Sequence, residues 1–405
     1  MKLLRLMVDE DDLIPLLLGF IAVNGDLRLY TDYLVTLCRA GKGGSKRLAC
    51  RYMEYLAVAK EPLVALERLG EELGKKGATL QDITRALRLG LEPSELAEHI
   101  VEKIITRLRA RAELIDEIAK AGLETLALIS TIFTLSLLVS GLFLGSNSFL
   151  LASVIAITGI VVVISFLLPS IMSLASPRIP AHIYAFTITS QAAAVLGVYL
   201  GSLHATLVSV ILAIPVYLFA RRWWRQVKDA ARLALQLAEA LQMGRITLLA
   251  SSEGSLAYNV IVGSRKNIYS NLGTLLIDMT RLLPQEGSVT AARLLRSFAE
   301  FAARYLDIAR AMLLRSIVYE ALVTSMMPLL GLIMLNISKM LTTSLSIAGA
   351  IALPIPRPSK VAFIARLMLL PSVVYPLATS KIGRGSPMLP LLHWLPALAA
   401  SLLLH

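Results

Sequence analysis

The chain has 405 residues, 56% of them hydrophobic and only 17% charged, and Lys and Arg outnumber Asp and Glu by 40 to 28. Soluble domains carry about 25% charged residues. The shortfall is concentrated in residues 125–177 and 179–220, which hold no Asp, Glu, Lys or Arg. That excludes an ordinary soluble domain, and the alternating apolar and polar segments of an outer-membrane barrel are absent too.

Each charge-free run is long enough for two helical crossings at about 20 residues each. The expectation is an all-α, polytopic helical membrane protein with two helical-bundle modules outside the bilayer. The chain opens on a short apolar run, residues 13–23, preceded by Asp9, Glu10, Asp11 and Asp12. A cleavable signal needs positive charge at that place, so the run reads as a buried helix or an interfacial segment.

Residues 1–124 form the first module, nearly neutral with 19 basic and 20 acidic residues. Cys38 and Cys50 read as buried thiols, with a disulfide as the alternative that spacing alone does not decide. Gly41-Lys42-Gly43-Gly44-Ser45-Lys46 lacks the spacing and the preceding strand of a phosphate loop and reads as a solvated basic turn. Thr79, with Asp82 three residues on, suggests a helix N-cap. Pro93 suits the first turn of the next helix. In that helix Leu96, Ile100, Ile104 and Leu108 repeat every four residues, Ile105, Ile115 and Ile118 widen the stripe, and Glu113, Glu117 and Lys120 mark the wet side.

Residues 125–220 predict four spans, at 125–145, 149–174, 182–200 and 203–220. Arg221, Arg222 and Arg225, with Trp223 and Trp224 between them, follow the fourth directly. Basic residues beside a span stay on the inner side, and an even number of spans puts 1–124 and 221–316 there together, as cytoplasmic modules of a multi-pass protein in the cell membrane. Gly141–Gly145 and Gly197–Gly201 are GxxxG pairs, which either allow close helix approach or are glycines near turns.

The second module, 221–316, is basic: 14 Lys and Arg against 7 Asp and Glu over 221–315. Val227, Ala231, Ala234, Ala238 and Leu241 give a helical stripe ended by Gly244. Gly254, Gly263 and Gly273 punctuate the stretch after that helix, Leu283-Pro284 closes it, and the best strand pattern is short, at 257–262. Leu34 and Leu237 each lie seven residues before a glycine, and Gly90 and Gly287 each precede a long helix that enters a span, so the two modules echo one another. Residues 317–405 predict three to four further spans, at 317–337, 340–356, 361–379 and 387–404. The positive-inside rule favours counting 340–356, for eight spans in all. Lys381 and Arg384 then fall in a loop.

Little here carries chemistry. His99, His182, His204, His393 and His405 have no partner at metal-ligand spacing, no cofactor motif is present, and no nucleic-acid motif accompanies the basic charge. Glu320 and Arg366 are the ionisable residues inside spans, and both sit where they can snorkel to the interface. That poverty argues against an ion-coupled transporter.

The stretch 232–244, RLALQLAEALQMG, followed by 286–316, EGSVTAARLLRSFAEFAARYLDIARAMLLRS, and then an apolar span, resembles the cytoplasmic module of the type II secretion F family. Glu286, Gly287 and Leu294 match the family's Glu-Gly turn and following leucine, and residues 37–41 and 90–96 resemble a diverged first copy. The four spans between the modules look more like archaeal members than bacterial ones. The resemblance implies a non-enzymatic platform of a type IV pilus-like or archaellum assembly machine. Its partners would be a cytoplasmic secretion ATPase, pilin-like subunits in the bilayer and a second copy of itself, as a homodimer or larger oligomer. Arg265, Lys266, Arg293, Arg296, Arg304 and Arg310 are the expected ATPase-contact set. The rival reading is a membrane transporter of unknown solute, which needs broken helices and a polar cavity at mid-membrane.

Overall fold

The computed structural model describes residues 10–23, 25–40, 43–143, 147–167, 170, 172, 174–243, 256–262, 267–280, 288–348, 363, 366–367 and 369–403. These are mainly helical, with no β-strand among them. The chain divides into two compact units. One comprises 1–110, 173–175 and 224–308, the other 111–172, 176–223 and 309–405.

The first unit opens with α1 (Ile14–Ala22), α2 (Leu27–Ala40), α3 (Gly43–Ala59), α4 (Pro62–Leu73) and α5 (Ala78–Arg88). The opening apolar run is a core helix: Leu16, Leu17, Leu18 and Phe20 are buried, as are Tyr30, Tyr33 and Leu34 of α2. Gly19 faces the Tyr33 ring so closely that a Cβ there would overlap it, and the Tyr33 hydroxyl donates to the Pro15 carbonyl at 2.9 Å. Cys38 and Cys50 are joined as a disulfide, which ties α2 to α3 and corrects the reading as free thiols. Arg51 Nε and the Tyr55 hydroxyl both donate to Glu72, at 3.1 and 2.8 Å, and hold α3 to α4.

Helix α5 begins two residues earlier than its capping pattern suggests. Gly77 takes the N-cap position, and Thr79, buried in the first turn, accepts from Arg107 at 3.0 Å instead. Helix α6 (Pro93–Phe143) starts at the expected proline and runs for 51 residues. Its stripe is buried as expected except for Ile118, which is exposed. Residues 257–262 lie in a short helix, α10 (Leu256–Val262), not a strand; Ala257 and Asn259 lower its strand propensity. Helix α11 (Asn271–Thr280) follows. The turn before it is pinned to α9 (Leu203–Gln242) by Gln226, which donates to the Asn267 carbonyl at 2.8 Å and accepts from the Tyr269 amide at 2.9 Å. Gly41, Gly244, Gly254, Gly263, Leu283, Pro284, Glu286 and Gly287 lie outside the described residues.

The second unit holds α7 (Asn147–Leu167), α8 (Ala181–Leu200), the apolar part of α9, the apolar part of α12 (Ser288–Ala348), α13 (Leu370–Arg384) and α14 (Leu395–Leu403). At its centre is α13, buried nearly throughout. Val373 and Leu370 pack with Val154 of α7, Ala194 and Val198 of α8 and Ala397 of α14. Val374 and Leu377 pack with Val161 of α7 and Val323 of α12. Around this centre, Ile160 and Val163 of α7, Ile188 and Leu196 of α8, Ile211 and Ile214 of α9, and Val318, Leu322 and Leu329 of α12 are exposed. Helices α8 and α9 are long and apolar enough to cross a membrane, and only 33% and 28% of their apolar stretches are buried; a core helix of a soluble protein would be mostly buried.

Gly197 and Gly201 are used inside the chain. A Cβ on Gly197 would press on Thr206 and Ala397, and Gly201 ends α8 in the left-handed conformation at φ 63°, as C-terminal glycines do. Gly145 lies outside the described residues. Helix α12 continues through 338–348 without the turn expected after residue 337; residues 349–356 lie outside the described residues.

The region expected to form a regular span at 387–404 is helical only at Leu395–Leu403, 9 residues, or about 14 Å at 1.5 Å per residue. Gly385 ends α13 with φ 76°, and Pro387 and Pro390 lack the N–H that a helix interior needs. Lys381 and Arg384, expected in a loop, belong to the last turn of α13.

Candidate functional site

One and a half turns of α12, residues 315–320, carry polar side chains on two adjacent faces. Arg315 and Tyr319 are four apart and share a face, and Ser316 and Glu320 share the next one, about 100° round the helix. Each face has its own partner.

The first face meets Asp116 of α6. The Tyr319 hydroxyl donates to Asp116 Oδ1 at 2.7 Å. Arg315 Nη1 lies 2.9 Å from Oδ2, and Lys120 Nζ, one turn along α6, lies 3.2 Å from it. Burial alone would raise the Asp116 carboxyl, but Tyr319, Lys120 and Arg315 outweigh it and hold it below the ordinary carboxylate range. Asp116 is therefore a carboxylate at neutral pH, with acceptor sites filled from both helices.

The second face meets the break between α13 and α14. Glu320 Oε2 accepts from Arg384 Nη2 at 3.0 Å, and both side chains are fully buried, at 0% and 1% exposure. Oε1 accepts from two successive backbone amides, Leu391 at 2.7 Å and Leu392 at 2.6 Å. Arg384 Nη1 donates onward to the Leu389 carbonyl at 3.0 Å. The carboxylate thus satisfies the free amides of an irregular segment, and the guanidinium satisfies one of its carbonyls. This corrects the expectation that Glu320 snorkels to an interface: a charge with three donors on it has no need of water. Gly383 lies against Ser316 so closely that a Cβ would overlap its side chain, which brings α12 and α13 together at this level.

The rest of the break is held the same way. Thr187 donates to the Met388 carbonyl at 2.9 Å, Ser380 to the Ser386 carbonyl at 2.7 Å, and Trp394 Nε1 to the Leu391 carbonyl at 3.1 Å. His393 Nε2 lies 2.7 Å from the Ser190 hydroxyl, and Ser190 and Ser209 each bond the other's backbone carbonyl, at 2.8 and 2.9 Å. A Ser–His pair at that distance has the spacing of a nucleophile and its base. Here Ser190, Ser209 and His393 are all fully buried, and the pair ties α8 to the α13–α14 break. Arg366, half-buried, reaches toward the Leu200 carbonyl at the C-terminal end of α8, a favourable end for a cation. No group of three or more His, Cys, Asp or Glu that could hold a metal occurs among the described residues.

The expected ATPase-contact residues are only partly described. Arg296, Arg304 and Arg310 are exposed on α12, and Glu300 and Asp307 are exposed between them. At i, i+3 and i+4 spacing these alternate in sign along the helix, as a solvated charged face does. Arg293 lies in α12, but its side chain, and Arg265 and Lys266 altogether, are outside the described residues. His99 is exposed beside exposed Glu95 and Glu102, a surface cluster. No family model, curated protein or solved structure matches the chain.

Sequence reasoning did not find Asp116, Arg384 or His393 as members of these contacts. One signal was available for Arg384: it is the basic residue that ends an apolar stretch and is followed directly by Gly385-Ser386-Pro387, the composition of a broken helix rather than of a span. Asp116 had none, since one carboxylate among Glu113 and Glu117 reads as part of the wet face.

Proposed function

We propose that the protein is a multi-pass platform of the cell membrane belonging to a type IV pilus-like or archaellum assembly machine, coupling a cytoplasmic secretion ATPase to the insertion of pilin-like subunits. The observation that carries this reading is α12. It is one helix of 61 residues, about 90 Å long, with an exposed charged face at Arg296, Glu300, Arg304, Asp307 and Arg310 and exposed apolar residues at Val318, Leu322, Met326, Leu329 and Ile333. Helices α6 and α9 join charged and apolar stretches in the same way. Exposed apolar surface on this scale needs lipid or a partner to cover it. With both charged modules on the cytoplasmic side, three continuous helices lead from that side into the bilayer. That suits a scaffold passing a push from a soluble motor to membrane-embedded subunits.

The test is association of the purified full chain, in nanodiscs, with a purified hexameric secretion ATPase from the same organism. Wild type is expected to retain the ATPase, and Arg296→Glu combined with Arg310→Glu to weaken retention at least about tenfold, the loss of roughly 1.4 kcal/mol. No retention by the wild type would end the platform reading; unchanged retention by the variant would remove those two arginines from it.

A transporter is the second reading, favoured by one specific observation. The break between α13 and α14 concentrates Glu320, Arg384, Thr187, Ser190, Ser209 and His393 in an apolar unit, and interrupted helices with buried polar groups form the binding sites of many transporters. Solute uptake into liposomes containing the pure protein alone would decide for it.

A further inference from the structure

The two polar faces of α12 have separate partners, but the helix that carries both is continuous. We propose that residues 315–320 of α12 form a brace that sets the α13–α14 break according to the position of α6, with Asp116 as the positioning residue for contacts it does not touch.

The second unit allows few motions at this level. An α-helix keeps its backbone hydrogen bonds when shifted or turned as a body, so residues one turn apart move together. Arg315 and Tyr319 hold α12 to the Asp116 carboxylate at 2.9 and 2.7 Å. Glu320, the next residue, holds the Leu391 and Leu392 amides at 2.7 and 2.6 Å. Charge-assisted bonds of that length weaken steeply with displacement. In an apolar surrounding no other acceptor would replace the carboxylate, so the amides cannot stay behind when α12 moves. On the side facing α13, Ser316 against Gly383 leaves no clearance for sliding. The last turn of α13, the break and residues 315–320 therefore shift as one body. Among the described hydrogen bonds and ion pairs, that body is held to α6 at Asp116, whose carboxylate also binds Lys120 on its own helix.

A displacement of α6 at Asp116 thus reaches the Leu391 and Leu392 amides through one and a half turns of helix. The reverse also holds, because coupling between two sites is reciprocal. The brace is independent of the platform and transporter readings, since either machine needs a defined route into its apolar unit and neither specifies this one.

The experiment is hydrogen exchange on the full chain in nanodiscs, resolved at Leu391 and Leu392. Tyr319→Phe removes one hydroxyl and keeps the ring, and Asp116→Asn keeps the shape and removes the charge. Both are expected to speed exchange at these two amides at least about fivefold while leaving the interior amides of α7 and α8 unchanged. Glu320→Gln provides the ceiling. Unchanged exchange at Leu391 and Leu392 in both Tyr319→Phe and Asp116→Asn overturns the brace. A uniform rise across the second unit overturns it as well, because it reports lost stability and not a route.

Discussion

Glu320 has all the properties that make a buried charge costly to disturb. It is paired with Arg384, accepts from two backbone amides and has no exposure. Removing one partner of such a pair typically costs about 3–5 kcal/mol, because the other charge is left buried alone. Glu320→Gln is therefore expected to lower the thermal unfolding midpoint of the detergent-solubilised protein sharply. Replacing Glu320 and Arg384 together by Leu and Met should cost less than the sum of the single changes. Additive losses would mean that the two side chains act independently. Asp116 can be tested through pH. Its carboxyl is held below the ordinary range by Tyr319, Lys120 and Arg315 against the opposing effect of burial. A depressed carboxyl stabilises the fold fully at neutral pH and loses that contribution as the pH falls through its lowered value. Acid unfolding of Asp116→Asn should accordingly show a shallower pH dependence than wild type below about pH 4, measured as the unfolding midpoint at a series of pH values.

At the scale of elements, close approach decides the design. A methyl on Gly383 would overlap Ser316, so Gly383→Ala is expected to destabilise by about 1–3 kcal/mol, and Ser316→Gly in the same chain should recover part of that loss in thermal melts. The α2–α3 disulfide closes a short loop, with its cysteines 12 apart in sequence. Closing a loop of that size stabilises by about 3 kcal/mol in the chain-entropy account, so Cys38→Ser or a strong reductant should lower the unfolding midpoint of the first unit. A midpoint insensitive to reductant would mean that packing of Tyr30, Tyr33 and Tyr52 alone holds α2 and α3.

This is also the scale at which the sequence was most legible. The four-residue repeat of Leu96, Ile100, Ile104 and Leu108 reports a buried face directly, because helical period and burial are the same fact read twice. Pro93 marks where that helix begins for a local reason. The α13–α14 break could not be read that way. Its residues are as apolar as a span; Gly385, Pro387 and Pro390 interrupt the helix locally, but the carboxylate that satisfies its open amides lies more than sixty positions earlier in the chain. The disulfide was equally closed to view, since two cysteines in one module are compatible with pairing and with packing. In α9 the apolar stretch and the charged stretch were legible separately. Their continuity through the Arg and Trp cluster was not, since a change of surroundings looks in the sequence like the end of a helix.

For the whole molecule, the proposed topology, with two charged modules on one side of a membrane, leads to a direct prediction. The native cysteines are paired, so Leu89→Cys and Met243→Cys, at exposed positions of the first unit, introduce single thiols suited to labelling. In intact cells neither should react with a membrane-impermeant maleimide, and both should react once the membrane is opened. Reaction of one but not the other in intact cells would put an odd number of crossings between them and break the topology. The same molecule poses a question of compartment: a disulfide on the cytoplasmic side persists only where thiols are not kept reduced. Thiol trapping directly from cells, with Cys38 and Cys50 expected to be blocked from alkylation, tests both assignments together.

The burial of α13 also bears on how the protein is made. On the membrane reading α13 has almost no surface left for lipid, and it carries Ser372, Thr379, Ser380 and Arg384 inward. Alone in a bilayer it would be a poor guest, since an arginine in a short helix is costly to insert. It is also translated after α7, α8 and α12, the helices that enclose it. Until it arrives, those three have to stand in the bilayer around an unfilled centre, with the Glu320 carboxylate uncompensated. Biogenesis would then require the earlier helices to wait for a late one, and a chain arrested before residue 370 should be a substrate for membrane quality control, not a partly working protein.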